Sequence, residues 1–253
     1  VSALLMDRQF DKALARLAFM SPTAEDVSVL ILRGRARLGL GRFDEAREAF
    51  DEALRMQPDN PDAQIGLATT AFALNNVEEA QRLAEGALAK SPDNYLGWML
   101  KGEIAMSLQN AAAAQQALEG PLNIVPGDLP AQLAIVQALL VQEKFEQAGA
   151  NLSALIEEYP KHPGLLFLSA QNELTGNRNI EAAEAALTVA LNQSPDDTSA
   201  LLLMAWVMLM KGDLESALEN LNAHQVLPPG DPAGSKLLAY VLLRRGELLR
   251  GIE

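Results

Sequence analysis

Two histidines, His162 and His224, and no cysteine make up the whole imidazole and thiol stock of this chain of 253 residues. A zinc or iron–sulfur centre needs several such ligands close together, and thiolate sites and disulfides are excluded outright. His162 sits in Lys161-His162-Pro163, where a helix start is expected and a capping role follows. His224 falls late in a helix, where a satisfied, partly buried ring or a partner for the helix dipole is the expected role. Paired carboxylates can do general acid and base work, but Asp44–Glu45, Glu78–Glu79 and Glu157–Glu158 stand at helix starts or ends and read as dipole partners or solvated faces. The sequence holds no Gly-rich phosphate loop, no G-x-S-x-G, no H-E-x-x-H and no calcium loop. The chain therefore reads as non-catalytic, with no cofactor and no metal.

What remains is a scaffold without chemistry of its own, and composition bounds it. Hydrophobic residues are 49% and charged residues 21%, ample for a packed core. Aromatics are 5%, low for a β-sandwich or barrel. The net charge of −13 sets the chain against nucleic acid and anionic membrane surfaces. One basic cluster near the end, Lys236, Arg244, Arg245 and Arg250, is diluted by Glu247 and Glu253 and reads as a solvated helix face. The longest apolar run, Ala200 to Met210, is 11 residues, well short of the ~20 that span a bilayer. No signal peptide is visible, and a start at Val1 suggests a window cut from a longer protein.

Internal repetition decides the organisation. Prolines at Pro58, Pro92, Pro126, Pro160, Pro195 and Pro229 are spaced 34, 34, 34, 35 and 34 residues apart. Twelve residues before each lies an alanine: Ala46, Ala80, Ala114, Ala148, Ala183 and Ala217. A small residue precedes these by a further 12 in most copies, as Gly34, Ala68, Gly102 and Ala205. Val136 is bulkier at this place, and Ala170 is displaced by an insertion near Gly176–Ile180. Each unit reads as two amphipathic helices packed closely through the small positions, with the proline ending the second. Asn60, Asn94, Asp128, Asp197 and Asp231 stand where the next helix needs a capping acceptor. Pro61, Pro163 and Pro232 follow at the first helical position. Pro121, inside a second helix, predicts a kink or an early end.

This phasing resembles the tetratricopeptide repeat. Gly34, Ala46, Phe50 and Pro58 match its small residue, alanine, large apolar residue and proline, and Trp98 with Gly102 matches its tryptophan and small residue. The resemblance covers nearly the whole chain. It implies an all-α fold, a right-handed α-solenoid superhelix of tandem helix-turn-helix repeats. The boundaries are a partial repeat 1–26, repeats 27–60, 61–94, 95–128, 129–162, 163–197 and 198–231, and a partial repeat 232–253. Both ends cut through repeats, so further repeats or another domain are expected to flank them. Arg37 and Glu173 depart from the pattern where a large apolar or aromatic residue is usual. Pro121 and His224 replace a late alanine.

The resemblance also implies where a partner would bind. The first helices of such repeats line an inner groove through positions 2, 5, 9 and 12. Position 5 holds Ile31, Ile65, Met99, Leu133, Phe167 and Leu202. Position 12 holds Leu38, Phe72, Met106, Leu140, Leu174 and Leu209. Position 9 holds Arg35, Thr69, Glu103, Gln137, Gln171 and Trp206, and the last half repeat adds Lys236, Tyr240 and Leu243. The expected groove residues are Ile65, Phe72, Met99, Glu103, Met106, Leu133, Gln137, Phe167, Gln171, Leu202, Trp206, Leu209 and Tyr240. They form a largely apolar channel with a polar stripe, although several position-12 residues also suit burial between helices. The helix Ala200–Met210 is apolar all round, so two neighbours cannot cover it. The carboxylate clamp of chaperone-docking relatives is not supported, because its Lys and Asn positions are mismatched. The implied function is a non-catalytic scaffold that takes a protein or peptide partner, as a helix or an extended segment. The leucine-rich units, such as Leu237–Gly246, resemble tetratricopeptide proteins of bacterial exopolysaccharide and PEP-CTERM export loci, which implies envelope assembly and favours the periplasm. Two alternatives are a substrate-recruiting region of an enzyme whose catalytic domain lies outside this window, and a scaffold that self-associates.

Overall fold

The computed structural model describes residues 1–21, 27–226 and 231–246. The expectations placed on Pro229, Glu247, Arg250 and Glu253 lie outside the described residues. The chain divides into two compact units, Val1–Ala138 and Leu139–Glu253. All regular structure among the described residues is helical.

The first unit opens with α1 (Ser2–Met6) and α2 (Phe10–Leu17). Then come the pairs α3 (Ser28–Gly39) with α4 (Phe43–Met56), α5 (Pro61–Ala73) with α6 (Val77–Lys90), and α7 (Tyr95–Ser107) with α8 (Ala111–Ile124). Helix α9 (Leu129–Val141) runs to the end of the unit and three residues past it. The second unit holds α10 (Phe145–Glu158), α11 (Pro163–Asn172), a π-turn (Glu173–Asn177), α12 (Ile180–Gln193), α13 (Thr198–Lys211), α14 (Leu214–Val226) and α15 (Pro232–Arg245). From α1 to α8 in the first unit and from α10 to α15 in the second, a helix packs on the one before and the one after, and first helices also touch, α3 on α5, α5 on α7 and α13 on α15. That is the neighbour-only contact pattern of an α-solenoid.

The local sequence explains most first-helix starts. The side chains of Asn60, Asn94, Asp128, Asp197 and Asp231 accept from backbone N–H groups two or three residues on, which satisfies donors that the helix start leaves open. His162 does the same, its Nδ1 accepting from the Leu165 N–H at 3.4 Å. Pro61, Pro163 and Pro232 occupy the first helical turn. Asp44, Glu45, Glu78 and Glu79 lie in first turns, where carboxylates meet the positive end of the dipole. Tyr95 ties the start of α7 to the residue that caps α9 by donating to the Asp128 carboxylate at 3.0 Å. Burial, then that bond and the carboxylate charge, push the Tyr95 hydroxyl up to about 12.

Each described turn between the two helices of a repeat passes one residue through left-handed backbone. In the first unit these are Arg8, Gly41, Asn75 and Gln109, and in the second Glu143, Arg178 and Gly212; Gly246 takes the same state at the end of α15. The small positions allow the close approach that the sequence predicts. Phe50 is fully buried, and its ring lies where a Cβ on Gly34 would be, 2.5 Å from Cζ.

One expectation is corrected, the early end at Pro121. Helix α8 does not end at Pro121 but continues to Ile124, with the Val125 N–H donating to the Pro121 carbonyl at 2.8 Å. The preceding residue is Gly120, which has no Cβ to clash with the proline ring. The same glycine lets the Trp98 indole lie against the helix, since a Cβ there would be 2.5 Å from its ring. The insertion near Gly176 is absorbed as the π-turn, closed by the Asn179 N–H donating to the Glu173 carbonyl at 2.9 Å.

Candidate functional site

The second unit carries a groove of about 650 Å³ built by three successive first helices, α11, α13 and α15. Helix α11 contributes Phe167 and Gln171, one turn apart. Helix α13 contributes Ser199, Leu202, Leu203 and Trp206, and α15 contributes Ala233, Lys236, Leu237 and Tyr240. Both sets fall at i, i+3, i+4 and i+7, which is one helical face. Asp197 and Asp231 cap the two helices and so fix where that face begins.

The small residues Ser199 and Ala233 open one end of the groove. Trp206 and Tyr240 stand out from the other, 47% and 45% exposed. Tyr240 is held by Arg244, whose Nε donates to its hydroxyl at 3.2 Å and whose guanidinium lies 5.6 Å from the ring centre. No such partner among the described residues holds the Trp206 indole N–H or the Lys236 ammonium. The groove therefore offers apolar area, two aromatic faces and two unused donors.

Five of the residues expected to line a groove come together here: Phe167, Gln171, Leu202, Trp206 and Tyr240. Leu209 does not line it and packs on the core of α13, α14 and α15 instead. The others belong to the first unit. Ile65 is corrected from groove to core: it is 3% exposed and packs with Leu100 and Ile104. Phe72 is half-buried against that same cluster, and Met106 packs against Ala105, Ala111, Ala114 and Ala138. Met99 and Leu133 are half-buried, whereas Glu103 and Gln137 are exposed. Although its residue is exposed, desolvation pushes the Glu103 carboxyl above the usual carboxylate range. Leu203 and Leu237, one position beyond the inner-groove pattern, were not expected. Their i+4 spacing from Ser199 and Ala233 is the signal that places them.

The basic cluster is dispersed by the structure. Lys236 lines the groove, Arg244 covers Tyr240, and Arg245 pairs with Glu215 at 2.8 Å. His224 is 3% exposed, with Nδ1 2.9 Å from the Thr198 carbonyl and Nε2 3.1 Å from the Asp231 carboxylate, a satisfied structural histidine. Among the described residues no cluster of three or more His, Cys, Asp or Glu is placed to hold a metal, and no helix is long and apolar enough to cross a membrane.

The sequence profile of the tetratricopeptide repeat matches residues 37–104 and 174–247. A comparison with curated protein sequences finds no match. Among solved structures, the chain is similar to one from the Cut9-Hcn1 hetero-tetramer of the APC/C, with a TM-score of 0.79 and 18% identity. That match covers 95% of this chain and 48% of the other, so this chain spans about half its length. A tetratricopeptide repeat protein from Parabacteroides merdae ATCC 43184 matches with a TM-score of 0.73 and 18% identity over 85% of this chain and 84% of its own. Pseudomonas aeruginosa pilF matches with a TM-score of 0.68 and 18% identity over 85% of this chain and 97% of its own. At that identity the likeness is one of fold.

Proposed function

Because this chain belongs to the tetratricopeptide repeat family, a family of protein-interaction scaffolds, we propose that it holds a partner peptide or helix in the groove of α11, α13 and α15. The observation that carries this reading is the pair Trp206 and Tyr240, two large rings about half exposed at the edge of an apolar groove. Solvated aromatic area of this kind is what interface anchors look like before a partner arrives. A partner with two or three apolar side chains on one helical face would match the i, i+3, i+4, i+7 walls. A hydrogen-bond acceptor beside them would meet the Trp206 N–H and the Lys236 ammonium. The setting we propose is bacterial envelope assembly, supported by the leucine-rich units alone. Cell fractionation with an antibody tests it.

Affinity capture from the source cells, with mass spectrometry, tests the groove. Wild type is compared with Trp206→Glu and Phe167→Glu, each checked for helical circular dichroism. Trp206 is half exposed, and substitutions at such surfaces usually change stability within about ±0.5 kcal/mol. A protein held by wild type and lost by the folded variants supports the groove. Identical captures overturn it. Light scattering that rises with concentration would instead make a second copy of the chain the occupant.

A further inference from the structure

The groove of α11, α13 and α15 carries one charge, and its sign opposes that of the chain. Of the ten described residues that line it, Lys236 alone is charged, and none is Asp or Glu. The chain as a whole has a net charge of −13. A second cation stands at the rim. Arg244, one turn beyond Tyr240, lies over that ring and donates to its hydroxyl. The groove is therefore an electropositive strip on an acidic protein, and it favours a partner of the opposite sign.

Lys236 sits in the middle of a wall. Ala233 precedes it by three residues and Tyr240 follows it by four, so both lie on its own helical face. Leu237 adjoins it and also lines the groove. Apolar wall thus continues along α15 on either side of this lysine. A partner that covers those walls takes water away from the ammonium. A wholly apolar partner would leave it without hydration or a hydrogen bond, and a basic one would add repulsion. A carboxylate supplies the opposite charge and strong acceptors together.

Resting on the groove reading above, we infer that the partner is a helix with an internal Asp or Glu, flanked on the same face by large apolar side chains one turn before and one turn after. The carboxylate meets the Lys236 ammonium. The apolar neighbours cover the walls that Phe167, Leu202, Leu237 and Tyr240 provide. A helix suits these walls because α13 and α15 each present i, i+3, i+4 and i+7 positions to it. A carboxylate at a chain end would stop midway along α15 and leave the wall on one side uncovered.

The test is titration of the ¹⁵N-labelled chain with acetylated, amidated helical peptides that carry Leu at i, i+4 and i+7 and Glu, Gln or Lys at i+3. A further probe is the Gln peptide with a free terminal carboxylate. Binding is read from the Trp206 indole resonance, told apart from that of Trp98 by its loss in Trp206→Phe. The Glu peptide is expected to bind about tenfold more tightly than the Gln peptide, the usual size of a hydrogen bond to a charged group. The Lys peptide is expected to bind more weakly than either. Lys236 is exposed, so its variants are expected to keep the helical circular dichroism of wild type. Lys236→Met is expected to bind the Glu and Gln peptides alike, and Lys236→Glu to prefer the Lys peptide. Equal, measurable affinities of the Glu and Gln peptides for wild type overturn the inference and leave the groove reading standing. A preference for Glu that persists in Lys236→Met overturns it as well. A free-ended Gln peptide that binds as tightly as the Glu peptide overturns it in favour of a chain-end carboxylate. Absence of shifts with every peptide up to millimolar concentration overturns both. A wild-type chain that sediments as a dimer beside a monomeric Trp206→Glu overturns the inference and makes a second copy the occupant.

Discussion

The ring of Phe50 fills the volume that a Cβ on Gly66 would need, with the nearest ring atom 2.2 Å from that position. Gly34 approaches the same ring, whose nearest atom is 2.5 Å from where a Cβ would be. One side chain on α4 thus locks its own repeat to the next. Phe50→Ala is expected to cost roughly 3–5 kcal/mol, the range for emptying an aromatic core site. Gly66→Ala is expected to cost about 1–3 kcal/mol by overfilling. Urea unfolding measures both. In the pair Gly66→Ala with Phe50→Leu the two costs should fall short of their sum, since the smaller side chain makes room.

Pro121 predicts a gain. Helix α8 already runs through it, so the residue holds a helical backbone without the N–H that a helix uses. Pro121→Ala is expected to restore that bond and raise stability by up to about 3 kcal/mol. A melting temperature equal to or below wild type would mean that Gly120 and Trp98 already relieve the whole cost.

Glu103 gives a pH signature. Desolvation raises its carboxyl in the folded state, so the folded chain holds that proton more tightly than the unfolded one. Its effect on stability is therefore absent at acid pH and becomes unfavourable as pH rises from the ordinary carboxylate value through the raised one. Glu103→Gln is expected to match wild type in acid and to exceed it at neutral pH. Melting temperatures across that range check the sign.

Asp231 carries the opposite sign. The Gly234 N–H first, then the His224 ring, hold the Asp231 carboxyl below its usual range. Its stabilisation is present above the unfolded value of about 3.9 and is lost as pH falls through the lower folded value. The melting temperatures of wild type and Asp231→Ala should therefore differ at neutral pH and converge in acid. His224→Leu, which removes one hydrogen bond each from the Thr198 carbonyl and the Asp231 carboxylate, is expected to cost about 1–3 kcal/mol. Hydrogen exchange should quicken in α15 well before it does in α3 and α4.

The parts of this molecule that were legible in the sequence are those decided within a few residues. Asn60, Asn94 and Asp128 cap because a cap needs only its own next turn, and the 34-residue phase is visible without any contact. What depends on a neighbouring helix was harder to read. Ile65 and Phe167 share one repeat position, yet Ile65 lies under Gly97 and is buried, whereas Phe167 has open space before it. The course of α8 turned on Gly120, whose missing Cβ spares both the proline and the Trp98 ring.

The left-handed turn residue has one more implication. From Glu143 to Arg178 is 35 positions, and from Arg178 to Gly212 is 34, yet each lands on the same backbone state. An extra residue in a continuous helix would rotate everything after it by about 100°. Here it is taken up in one wide turn before Arg178, and the following helix starts in phase. Each hairpin thus works as a reset point, so a lineage can lengthen or shorten one repeat by a residue without disturbing the faces that later repeats present.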